Sequence, residues 1–278
     1  MFLLKQILPA AIIAMMVAAS TCAFALSRGK ESARIAFDPL AVGIAYFVGH
    51  LFVAGWVPFP PTDTTNWLPW FGLVVALLSA SCVVWAIKAW VRVLILFLVS
   101  AGILRLLLKP KFQYGWSLTE GYLWLACLAG AMMLVAIILD VLVRRPAMAF
   151  EMPAFLLVIC AGTFGTLMLS GSILLGQCAA VLGAAVFGCL VLTTRRVALS
   201  RGIGPVFSLL LVTLLLSGYF FAELPAISAA LIALAPVLAL IPIGKPMLPA
   251  FGIRIALVSV AILAALVVAF RSSPPSGY

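Results

Sequence analysis

The chain has 278 residues, of which 66% are hydrophobic and only 9% charged, with a formal net charge of +10. Soluble domains average roughly 45–50% apolar and about 25% charged residues, so a water-facing surface of ordinary chemistry is excluded and lipid is the solvent that suits this composition. The 17 Lys and Arg residues sit singly or in pairs between apolar runs, a pattern that excludes a nucleic-acid interface and reads as membrane topology.

A spanning helix needs about 20 mostly apolar residues. The first run, 7–26, follows one lysine and contains Ala23-Phe24-Ala25. That pattern also fits a signal peptide cut after residue 25. The second run, 40–57, carries His50, the single histidine of the chain. PFPPTD at 58–63 is a loop, and the third run follows at 68–87. A four-residue connector, IKAW, separates it from the fourth at 91–108; nine spans result if the connector stays helical. The remaining runs fall at 121–143, 153–170, 173–193, 205–222, 225–243 and 251–270. Pro153, Pro205 and Pro225 stand near helix starts, where a missing N–H is harmless. Every run is apolar on all sides, which excludes the alternating strands of a membrane barrel. The fold expected is an all-α polytopic bundle of about ten transmembrane helices, divisible into five-helix halves at 7–143 and 153–270. An odd number of spans per half would make the two inverted repeats.

Lys and Arg set the orientation. The odd-numbered loops hold Arg28, Lys30, Arg34, Lys88, Arg92, Arg144, Arg145, Arg195, Arg196, Arg201, Lys245 and Arg254; the other side holds Lys5, Arg105, Lys109, Lys111 and Arg271. Twelve against five puts the odd-numbered loops in the cytoplasm and both termini outside, in a cell inner (plasma) membrane.

Few residues can carry chemistry. His50 lies near the middle of its run, where a charged ring costs several kcal/mol and a neutral one still has a donor and an acceptor to satisfy. A hydrogen bond to a neighbouring helix is the plain reading; proton transfer or ligand binding is the sharper one. Asp140 and Arg144 are spaced to pair on one helix face. Glu223, in the turn SGYFFAELP at 217–225, is either an exposed acidic turn or one wall of an outward-facing polar pocket with Asp63 and Glu120. Gln177 could join that pocket from the seventh helix, so His50, Gln177 and Glu223 form the candidate set. Gly176, Ala180, Ala184 and Gly188 recur at four-residue steps, a spacing that lets a partner helix approach closely. Pro236 could kink the ninth span.

The six cysteines form no CxxC pair, and one histidine cannot complete a Cys/His metal cage. No cofactor or metal is implied. The nucleophile elbow G-x-S-x-G and the zinc motif H-E-x-x-H are both absent. With seven carboxylates and no inward-facing pair, an enzyme is not expected. Two functions compete: a small-solute carrier, and a non-catalytic scaffold or accessory subunit of a membrane complex. The partners expected are the lipid bilayer and, for the scaffold, other membrane subunits or a second copy.

Overall fold

A computed structural model describes residues 2–27, 31–56, 59–61, 63–85, 87–145, 150–193, 202–243 and 247–272. They form α1 (Phe2–Ser27), α2 (Glu31–Ala54), α3 (Leu68–Val84), α4 (Ala89–Leu107), a short α5 (Lys109–Tyr114), α6 (Leu118–Arg144), α7 (Glu151–Leu169), α8 (Ile173–Thr193), α9 (Ile203–Phe221), α10 (Ala226–Leu238) and α11 (Met247–Ser272). One turn of 3₁₀ helix, Thr65–Trp67, leads into α3. Among the described residues no strand occurs, and nine helices are long and apolar enough to cross a membrane. The chain is an all-α, multi-pass membrane protein whose surroundings are lipid.

The connector before α4 is a break, as the sequence reading has it, with Trp85, Ile87 and Lys88 outside both helices. Two boundaries differ from that reading. α2 starts nine residues earlier than the hydropathy of its run indicates, carrying Pro39 inside it. The ninth run is the short one: α10 has 13 residues, about 20 Å at 1.5 Å per residue, against a hydrocarbon core of about 30 Å. It still runs antiparallel to α11. Ser228 at its start donates to the Ala265 carbonyl at 2.9 Å, and Arg254 Nε donates to the Ile241 carbonyl, 3.4 Å away, just past its end.

All the spans are apolar on every side, and burial singles out α9 as the central helix. Its buried residues run from Ile203 to Gly218 with Pro205 the one interruption. α6 and α3 pack on it, and Ser208 ties it to α6 through the Met132 carbonyl at 2.8 Å. α1 and α11 lie at the periphery and show lipid Leu8, Ile12, Met16, Val260, Leu263 and Phe270. Contacts cross between the two five-helix segments: α1 and α2 both pack on α8, and α6 on α9.

Ion pairs and close packing also sort the helix ends. Arg92 at the start of α4 meets Asp140 at the end of α6, and Glu151 at the start of α7 meets Arg254 in α11. Gly202, just before α9, packs on Pro39 of α2. Lys88, Arg92, Arg144, Arg145 and Arg254 therefore share one face of the bundle, called here the basic face. Arg28, Lys30, Arg195, Arg196, Arg201 and Lys245, which weigh in the charge count, lie outside the described residues, as do the side chains of Lys5 and Arg34.

α1 is held by a small-residue seam. Ala10, Ala14, Ala18, Cys22 and Ala25 are all buried, against α2 and α8. The helix is continuous through the Ala23-Phe24-Ala25 site. Near its end the Cys22 and Cys189 sulfurs lie 3.7 Å apart, and a disulfide would need them to close to about 2.05 Å. Mild oxidation of membranes is expected to join the peptides containing Cys22 and Cys189, as seen by mass spectrometry. A mature protein lacking residues 2–25 would instead show that α1 is a leader.

Candidate functional site

Tyr46, Gly49 and His50 stand at i, i+3 and i+4 on α2 and so share one face. Gly49 has no side chain, and a Cβ there would stand 2.5 Å from Val181 of α8 and 3.0 Å from Ala14 of α1. That close approach brings His50 against α8, where its Nδ1 lies 3.4 Å from the Cys178 sulfur. Which partner donates depends on the ring's tautomer. Tyr46 is tilted toward the imidazole with ring centroids 6.0 Å apart. Its hydroxyl lies beside the same thiol but has no hydrogen bond of ordinary geometry.

Tyr46 and His50 are fully buried, Cys178 equally so, and Gln177 nearly. His50 Nε2 has no partner. A buried polar atom left unpaired costs roughly 1–3 kcal/mol, so two of them in one cluster weaken the bundle unless water or a ligand answers them. The depth of this cluster departs from the sequence expectation. Because α2 ends at Ala54 and α8 begins at Ile173, His50 and Cys178 lie four and five residues from helix ends. They occupy the third of the bundle nearest the face opposite the basic one, not its middle.

Glu223 is not part of the cluster. It is exposed, with φ +54°, at the turn where α9 ends. Beyond it the Leu224 amide returns to the Gly218 carbonyl at 3.0 Å, and Leu224 is buried. The left-handed residue thus wraps the helix end and points its carboxylate away. Glu120 is also committed: it completes a capping box with Ser117, accepting from the Ser117 amide and hydroxyl at 3.0 Å each. The nearby cations rest on rings, with Arg105 3.9 Å above Phe112 and Lys111 5.9 Å from Phe220. Asp63 is exposed in the loop before α3. Asp63, Glu120 and Glu223 are thus all exposed, whereas His50 and Gln177 are buried.

Asp140 and Arg144 form an ion pair, and Arg92 of α4 reaches the same carboxylate oxygen at 3.2 Å. The small-residue stripe of α8 serves two neighbours. A Cβ on Gly176 would strike Met168 of α7, whereas one on Gly188 would strike the Met15 carbonyl of α1. Ala180 and Ala184, between them, are partly buried.

Tyr46 and Cys178 are the participants the sequence reading passed over; Tyr46 lies one turn before His50 on α2. The one signal for Cys178 was adjacency to Gln177, because its partner lies 128 residues away. Among the described residues, no group of three or more His, Cys, Asp or Glu side chains could hold a metal ion. No known protein family, curated protein or solved structure matches the chain.

Proposed function

We propose that the chain is a small-solute carrier of a cell inner membrane, with its basic face in the cytoplasm and both termini outside. The observation that carries this reading is the Tyr46–His50–Cys178 cluster with its unpaired polar atoms. α2 and α8 contribute it from opposite segments of the chain, and carriers place their solute sites where two such segments meet. The unpaired Nε2 of His50 and hydroxyl of Tyr46 are one hydrogen-bonding nitrogen and one oxygen offered to a small polar solute. The cluster sits under the outer face in this orientation, and its full burial corresponds to the closed form of an alternating-access cycle. The scaffold reading draws on the tight fit of Gly49 against Val181 and Ala14, which packs α2 directly on α8 and α1 beside the cluster.

Thiol accessibility separates the two without knowledge of the solute. Cys127→Ser removes an exposed thiol, and a membrane-impermeant, sulfonate-bearing methanethiosulfonate is then applied to intact cells. A carrier opens outward, so modification at Cys178, mapped by peptide mass spectrometry, is expected within minutes. Complete protection for hours, with normal reactivity after denaturation, removes the carrier and leaves the scaffold. Modification in inverted vesicles alone reverses the orientation.

A further inference from the structure

We propose that the basic face binds an anionic phospholipid headgroup where the start of α4 meets the end of α6. Lys88 and Arg92 are one turn apart, joined by the Arg92 amide to Lys88 carbonyl bond at 3.0 Å. The Arg92–Asp140 contact sets them beside Arg144 and Arg145. Arg92 and Arg144 both hold Asp140, and with Lys88 and Arg145 next to them in the chain the patch has four cations to one carboxylate, three positive charges in excess. Glu151, also on this face, is taken by Arg254 at 2.9 Å. Arg144 keeps 44% of its side chain exposed while holding Asp140. α4 adds the positive end of its dipole, since Lys88 caps it without a side-chain hydrogen bond.

The surroundings say which anion suits the patch. Trp85 and Trp90 are 74% and 67% exposed on either side of Lys88, and tryptophan rings favour the headgroup level of a bilayer. Trp90, Leu94 and Leu98 recur at four-residue steps and form one exposed apolar strip descending from the charges. A dissolved phosphate has no use for that strip, whereas acyl chains cover it. Basic sites between spanning helices are where anionic headgroups dock, each cation near the surface adding to the attraction.

The test is lipid retention by the detergent-purified full chain, read by native mass spectrometry. Phosphatidylglycerol and cardiolipin are expected to stay bound where phosphatidylcholine is stripped. The triple variant Lys88→Gln, Arg144→Gln, Arg145→Gln, which keeps the Arg92–Asp140 pair, is expected to bind them about tenfold more weakly or worse. Lys109→Gln with Lys111→Gln, on the opposite face, should leave retention unchanged. Equal retention of all three lipids overturns the proposal, as does an equal loss in the opposite-face variant. Displacement by inorganic phosphate at the lipid's own concentration would show a free-anion site instead. If the triple variant fails to fold, Arg145→Gln alone, outside every ion pair described, must still weaken retention.

Discussion

Replacing Gly188 with leucine is expected to destabilise the bundle by roughly 1–3 kcal/mol or more, the range for forcing extra atoms into a packed interior, and to abolish the Cys22–Cys189 crosslink. A Cβ at this position would collide with the Met15 carbonyl oxygen and stand 2.9 Å from the Ala18 Cβ and 3.2 Å from the Ala19 nitrogen. Two of these are backbone atoms, which cannot turn aside as a side chain can. Helix α1 must then back away from α8, and the seam of Ala10, Ala14 and Ala18 opens with it. Gly130→Leu is the control. Nothing lies within 4 Å of a Cβ there, the site faces lipid, and leucine favours helix over glycine. Its expected change stays within about 0.5 kcal/mol of zero or is slightly stabilising. Unfolding in mixed micelles by increasing SDS measures both. Equal effects at the two positions would mean that α1 is not seated where described.

The same helix shows how far a sequence can be read. Spanning segments are legible because apolar length is a local property: nine of the runs reappear as helices long enough to cross a membrane. Partners are not local. The four-residue steps from Gly176 to Gly188 look like one face, yet each step of four overshoots a full turn by about 40° at 3.6 residues per turn. Three steps rotate the stripe by about 120°, which is why its ends meet α7 and α1 respectively. The seam on α1 is equally visible as Ala10, Ala14, Ala18 and Cys22, but nothing in it names α8 as the helix it fits.

Site residues divide on the same ground. Asp140 and Arg144 are legible as an i,i+4 pair; Arg92, 48 residues away, is not. The depth of His50 was misjudged because a hydropathy run marks where apolar residues lie, and α2 continues as a helix through the charged stretch before it. Glu223 was legible as an exposed acidic turn, one of the two readings it allowed. Its left-handed backbone was hidden, since glycine is the usual signal for that conformation and none stands there.

The ion pair between α7 and α11 leads to the second large effect. Arg254→Met is expected to cost about 3 kcal/mol, the low end of the range for breaking a buried pair. The low end applies because Arg254 retains 17% exposure of its side chain, against 7% for Glu151. Removing the arginine strands a nearly buried carboxylate and releases the Ile241 carbonyl at the end of α10. Glu151→Gln should cost less, because a long arginine can swing its guanidinium toward the headgroups and the amide still accepts a hydrogen bond. The asymmetry is itself diagnostic: a purely Coulombic account would make the two single variants alike. Glu151→Leu combined with Arg254→Met should recover most of the loss, since apolar replacements of both partners leave no charge to desolvate. SDS-driven unfolding of the parent, Glu151→Leu, Arg254→Met and the double variant gives the cycle directly. Additive losses in the double variant would mean that the two side chains act separately and that the start of α11 is held by something else.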